Sequence, residues 1–132
     1  MSVDFYELVL SQARIGAEET VLAVCAGPYD KTTLVNAGIR HAVISNIDYH
    51  DGVSEYAPYA WSYQDAENLT LEDESVDWAI VNGGLHHCAS PHRAMCEMLR
   101  VARIGIVVIE SRESLLMRIA VALGLSGDYE LE

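Results

Sequence analysis

Five short apolar runs, each closed by turn residues, constrain the folding of this chain more than any other feature. They are Val21-Leu22-Ala23-Val24-Cys25, Ala42 to Ile47, Tyr59 to Tyr63, Trp78 to Asn82, and Ile104 to Ile109. A short run without polar alternation suits a strand buried on both faces, as in parallel sheets. Helical signals lie between and around them. Phe5, Leu8, Val9, Ala13 and Ile15 mark a first helix over about 3–16, with Gly16 as its stop. Asp30 or Thr32 caps a second through about Asn36, ended by Ala37-Gly38. Ser90-Pro91 opens a third, to which Met95, Met98, Leu99 and Ala102 give an apolar stripe. A last helix spans 113–123 and ends at Gly124. Strands alternating with helices predict an α/β fold with a doubly wound, Rossmann-like parallel sheet, because parallel neighbours need right-handed crossovers. The expected strand order is 3-2-1-4-5, with a ligand crevice beyond the carboxyl ends of strands 1 and 4.

At 132 residues and 51% hydrophobic, the chain supports one core and one domain, 1–132, with its sheet in 20–112. Lys31 and seven arginines face 20 acidic residues, for a formal charge of −12. Such a surface repels phosphate backbones and argues against nucleic acid as a partner; a solvated acidic face accounts for the charge. Cys25, Cys88 and Cys96 are odd in number and fall in segments that read as buried, which suits reduced thiols in a cytoplasmic protein. No run reaches the length of a membrane span, and Asp4 and Glu7 stand where a signal peptide carries positive charge. The expectation is a soluble chain with no membrane partner.

The chemistry-bearing residues cluster at strand ends. Cys25-Ala26-Gly27-Pro28 follows strand 1, where a glycine lets a ligand approach the backbone; the turn alone reads equally as a structural βα connection. Asp48 follows strand 2 about 20 residues on, the spacing of a carboxylate that holds ribose hydroxyls in either of two nucleoside cofactors. Asp65-Ala66 follows strand 3, and Asn82-Gly83-Gly84 follows strand 4. His86 and His87 then face the expected substrate pocket, where an imidazole can take a proton. His86, His87, Cys88, His92 and Cys96 contain neither a Cys-x-x-Cys pair nor a His-Glu-x-x-His helix, and adjacent histidines diverge on a regular backbone, so no metal is expected.

The phrase Tyr63-Gln64-Asp65-Ala66-Glu67-Asn68-Leu69, followed by Ser75-Val76-Asp77-Trp78-Ala79-Ile80-Val81-Asn82-Gly83-Gly84-Leu85-His86-His87, resembles the class I S-adenosylmethionine (SAM) methyltransferases. With the Gly27 turn, it is similar to the type 11-like branch that acts mostly on small molecules, over Val21 through Arg112. The resemblance implies SAM as cofactor and a small-molecule acceptor. It places Cys25, Ala26, Gly27 and Pro28 on the methionine side and Asp48 on the ribose. Asp65 would accept from the adenine amino group and Ala66 would offer its N–H to the ring. Asn82 would form the crevice floor, His86 or His87 the proton acceptor, and Asp77 a structural strand start. The family turn carries an acid and three alternating glycines; here those places hold Ala23, Cys25, Gly27 and Tyr29. Tyr29 would then narrow the site, and Asp30 would either stand in for the missing acid or serve in its more ordinary role as a helix cap. The family sheet has seven strands, and strands 6 and 7 have no counterpart here, as in a truncated or minimal domain. Strand 5 as an edge predicts homo-oligomer formation through it, or cover by the last helix. A non-catalytic SAM-binding or interaction module and an NAD-binding oxidoreductase fragment are the competing readings; the single glycine and Asp65-Ala66 weigh against the second.

Overall fold

Val21, Leu22 and Ala23 are each only 1% exposed, so the first strand is covered on both faces as its unbroken apolar sequence requires. The computed structural model describes residues 4–48 and 53–110. It orders α1 (Phe5–Ala13), β1 (Thr20–Ala23), α2 (Pro28–Asn36), β2 (His41–Asn46), β3 (Ala60–Tyr63), β4 (Val76–Asn82), α3 (Pro91–Val101) and β5 (Ala102–Ile109). Short 3₁₀ turns at Val53–Tyr56 and Leu85–His87 precede β3 and α3. The sheet runs β3-β2-β1-β4-β5, and every pairing is parallel. This is the expected doubly wound, Rossmann-like order. The helix expected over 113–123 lies outside the described residues.

Register aligns the strand tips. Ala23 pairs with Ile44 on one side and Ile80 on the other, and Asn46 pairs with Tyr63. Because winding reverses between β1 and β4, the tips around that gap leave a crevice uncovered by any crossover. Alternate residues then feed two cores, one on each face. Val21, Ala23, Ile44 and Ile80 meet Tyr6, Leu10 and Leu34 from α1 and α2. Leu22, Val24, Ala79 and Val81 meet Ala94, Met98 and Val101 from α3.

Helices α1 and α3 each bury part of their expected apolar stripe, Val9 and Ala13 against one core and Met95 and Met98 in the other, and leave part of it outside. In α1, Tyr6 and Leu10 are buried, whereas Phe5 and Leu8 are 64% and 44% exposed. Tyr6 goes inside because its ring fills the core while its buried hydroxyl sits beside the Asp30 carboxylate. In α3 the inward line is Ala94, Met98 and Val101, with Leu99 outside. Ala102 belongs to β5, because α3 passes into the strand with no intervening loop.

Asp77 anchors the far end of the sheet. Its carboxylate accepts from the Thr20 backbone N–H at 2.8 Å and from the Thr20 hydroxyl, and it pairs with Arg103. The Thr20 amide, with Arg103, holds this carboxyl below the usual carboxylate range. A pKa depressed on folding contributes stability at neutral pH that disappears as pH falls through the folded value. Asp77→Ala is therefore expected to lose about 1–3 kcal/mol at neutral pH. The gap between wild type and variant in urea unfolding should narrow as pH falls below the ordinary carboxylate range; a gap independent of pH would contradict this role.

Candidate functional site

The tips of four strands enclose a cavity of about 580 Å³. Cys25, Ala26 and Gly27 contribute from the turn after β1, and Asp48 from the end of β2. Asp65, Ala66 and Glu67 come from the segment after β3, and Gly84, His87 and Cys88 from the turn after β4. Asp48 and Asp65 thus line one space. Pro28 opens α2 and His86 sits behind His87, neither on the cavity wall. Asn82 is absent from this lining and instead borders a second hollow of about 520 Å³ with Asp4, Phe5, Tyr6 and Tyr29.

Tyr29 does not narrow the main cavity. Its hydroxyl donates to Asp4 and its ring tilts against Tyr6, which draws it toward α1. Nor does Asp30 replace the acid missing at Ala23. Its buried carboxylate accepts from the Gly27 N–H at 2.9 Å and so caps α2. Burial raises the Asp30 pKa, opposed by the Gly27 N–H and by Tyr6.

Asn46 joins three of the tips. Its amide donates to the Ala26 carbonyl at 2.6 Å, while its oxygen accepts from the Trp61 indole at 3.2 Å and the Asp48 N–H at 3.1 Å. The segment after β3 is bound as tightly. Asp65 accepts from the Glu67 N–H at 2.9 Å, shaping its own turn, and Gln64 accepts from the Thr70 N–H. Glu67 takes the Ala89 and Ser90 amides at 3.1 and 2.9 Å, and Glu97 takes the Leu69 amide at 2.8 Å. Arg100 donates to the Leu69 and Leu71 carbonyls at 3.0 and 2.9 Å. Helix α3 therefore holds the wall that carries Asp65. Sequence reading missed Asn46, Glu97 and Arg100. A polar residue closing an apolar strand was the available signal for Asn46; the other two had none beyond a charged helix face.

The turn after β4 is fixed by Glu110. Its carboxylate accepts from the Leu85 N–H at 2.9 Å and contacts His86 Nδ1 at 3.2 Å. The two histidine rings lie 3.9 Å apart, tilted by 45°, instead of diverging. They converge because a 3₁₀ turn, not a regular helix or strand, carries them. Only His87 reaches the cavity. No group of three or more His, Cys, Asp or Glu that could hold a metal ion occurs among the described residues. Cys25 and Cys88 are half-buried, but Cys96 is exposed on the outer side of α3, contrary to the buried setting expected of it. No described helix is long and apolar enough to cross a membrane.

A sequence profile for the family described as methyltransferase domain matches residues 26–109. A search of curated proteins returns no match. Solved structures do match. A SAM-dependent methyltransferase from Thermotoga maritima is 26% identical, with a TM-score of 0.59 over 89% of this chain and 56% of that one. A SAM-dependent methyltransferase from Aquifex aeolicus is 18% identical, with a TM-score of 0.58 over 91% and 77%. The cyclase SpnF is 22% identical, with a TM-score of 0.69 over 83% and 45%. This chain spans about half the length of most such structures.

Proposed function

The chain belongs to the methyltransferase-domain family, and from that premise we propose that it binds SAM in the strand-tip cavity and transfers the methyl group to a small-molecule acceptor. One observation carries the reading: the carboxylates of Asp48 and Asp65, from different strands, line a single cavity with Gly27. Ribose hydroxyls and the adenine amine are hydrogen-bond donors, and two carboxylates are the acceptors they need. The space fits as well. A Cβ built on Gly27 would meet nothing within 4 Å, so the turn opens on free volume. A cavity of about 580 Å³ is in the range that holds molecules of nucleoside-cofactor size.

Bound SAM would supply a methyl group made electrophilic by its sulfonium. The chain's own residues then bind, orient and exclude water, which is most of what such a transfer demands. Cys25, Ala26 and Gly27 would wall the methionine side, Asp48 would hold the ribose, and Asp65 and Ala66 the adenine. Asn82 lines the second hollow and not this cavity, so it has no part in holding the cofactor here. His87, which faces the cavity, would accept the proton of an oxygen or nitrogen nucleophile, with His86 held behind it by Glu110. Asp65, Glu67 and Asp48 make the cavity acidic, a setting that favours a cationic cofactor over a dinucleotide carrying phosphates.

SpnF carries a cyclase description on the same fold, so the fold by itself does not set the reaction. Cys25 in place of a family glycine favours a second reading, a module that binds SAM without transferring its methyl group. Titration calorimetry with SAM and with S-adenosylhomocysteine is expected to show saturable binding of both. Absence of heat with either ligand, or tighter binding of NADH, would sink both readings; binding without turnover over an acceptor panel would leave only the second.

A further inference from the structure

Cys25 occupies a position that its side chain does not favour. Its φ is +51°, a left-handed conformation natural to glycine and uncommon for a residue with a Cβ. Its Cβ presses so closely on Gly84 that a Cβ there would lie 2.4 Å away, and its sulfur would be at 3.2 Å. Cys88 reaches the same glycine from the next turn, with its thiol 3.9 Å from the Gly84 carbonyl oxygen. Both cysteines are half-buried and both line the cavity. A strained backbone that sets one thiol on the same glycine as a second, both at the wall of a ligand-sized cavity, is a reason to look for chemistry in the pair.

We propose that Cys25 and Cys88 form an oxidisable dithiol in the cavity wall, and that its disulfide form closes the cavity to the cofactor. The site stands on the contact both residues make with Gly84 and on their shared cavity wall; the closing effect rests on the SAM reading above. The reactant is a small disulfide. The Cys88 thiolate attacks one sulfur of that reagent, forming a mixed disulfide and expelling the first reagent thiol. Cys25 then loses its proton, attacks the Cys88 sulfur and expels the second. Two protein thiols are oxidised and one reagent disulfide is reduced to two thiols.

The surroundings set the conditions. Burial pushes the Cys25 thiol up to about 12 and moves Cys88 in the same direction, and each thiol affects the other's ionisation. At neutral pH the pair therefore exchanges slowly; a rising pH increases the thiolate fraction and the rate. Asp65, Glu67 and Glu110 act on Cys88 and repel an anionic reagent, so an uncharged disulfide should outpace glutathione disulfide.

The test uses the whole chain and 2-hydroxyethyl disulfide at mildly alkaline pH. The intact mass should fall by two hydrogens, and peptide mapping should find Cys25 joined to Cys88. S-adenosylhomocysteine affinity should drop at least about tenfold and return with a dithiol reductant. By the same coupling, bound S-adenosylhomocysteine should slow the oxidation. Treated Cys88→Ser should form no cross-link and keep its own untreated affinity. A stable adduct on one cysteine, a link to Cys96, or a cross-linked protein with unchanged affinity would each overturn the proposal. If the reduced chain binds no S-adenosylhomocysteine, it is the cofactor reading that fails. The His87 ring resonances then report on the cavity wall, and their failure to shift on cross-linking would overturn the closure.

Discussion

Gly84→Ala is expected to destabilise the folded chain by about 1–3 kcal/mol. The added Cβ would lie 2.4 Å from Cys25 Cβ, in the cavity wall, and 3.2 Å from a methyl group of Val81, in the buried core. Backbone conformation plays no part in this cost, since Gly84 has φ of −108°, which any residue adopts. A companion substitution isolates the cause. Cys25→Gly removes the opposing Cβ and places glycine at φ +51°, where it carries no steric penalty. In that background most of the Gly84→Ala cost should vanish, so a double-mutant cycle in urea should show strong coupling between positions 25 and 84. Equal costs in the two backgrounds would mean that something other than Cys25 fills the space. Gly83 offers a contrast. Its φ is +69° and a Cβ there meets nothing within 4 Å, so an alanine at 83 is opposed by its backbone and not by a neighbour.

The pair at 25 and 84 also shows what a single sequence conveys and what it withholds. The five strands and their order were legible because each strand is a separate apolar run, and the burial of β1 on both faces follows directly from Val21-Leu22-Ala23. Asp77 was legible as a strand start, and the structure adds its contact with Thr20. What could not be read was whatever depends on partners far apart along the chain. Asn46 reaches Ala26, Glu67 reaches Ser90, and Arg100 reaches Leu69. Each is an ordinary polar residue until the sheet brings the tips together. Val9 and Ala13 of α1 pack against the core as expected, but Tyr6 and not Phe5 enters it, for a related reason. Hydrophobicity ranks Phe5 above Tyr6, yet the helix begins after the Asp4 cap, and from that phase Tyr6 and Leu10 point at the sheet. The histidines were misread because a 3₁₀ turn shorter than any periodic signal sets their direction.

Those long-range contacts matter for the site because they make its wall stiff before any ligand arrives. Gln64, Glu67, Glu97 and Arg100 fix the segment after β3, so the exposed carboxylate of Asp65 sits on a wall held partly by two α3 residues that do not line the cavity, Glu97 and Arg100. A pre-formed wall of this kind reduces the ordering cost of binding, which in many loops consumes part of the contact energy. It also allows Asp65 to be altered with little disturbance around it.

Asp65→Asn is accordingly the sharpest probe of the nucleoside assignment. One carboxylate oxygen of Asp65 accepts from the Glu67 N–H, and an asparagine oxygen can keep that bond and the turn with it. What asparagine cannot keep is a second acceptor. Its amide presents a donor where the adenine amine also donates, so an attraction becomes a clash of like groups. A hydrogen bond to a charged acceptor contributes about 1.5–3 kcal/mol, so affinity for SAM and for S-adenosylhomocysteine should fall roughly 10- to 100-fold, with the unfolding midpoint nearly unchanged. Asp65→Ala should lose the same affinity and also stability, because the Glu67 N–H then loses its partner. Asp48→Asn should weaken both ligands as well, through the ribose, and the two losses should add, since the carboxylates would hold different parts of one nucleoside. Calorimetry with adenosine alone separates the contributions from the methionine end. Asp65→Asn binding S-adenosylhomocysteine as tightly as wild type would place the base elsewhere, and the assignment of this cavity to adenosine would have to be abandoned.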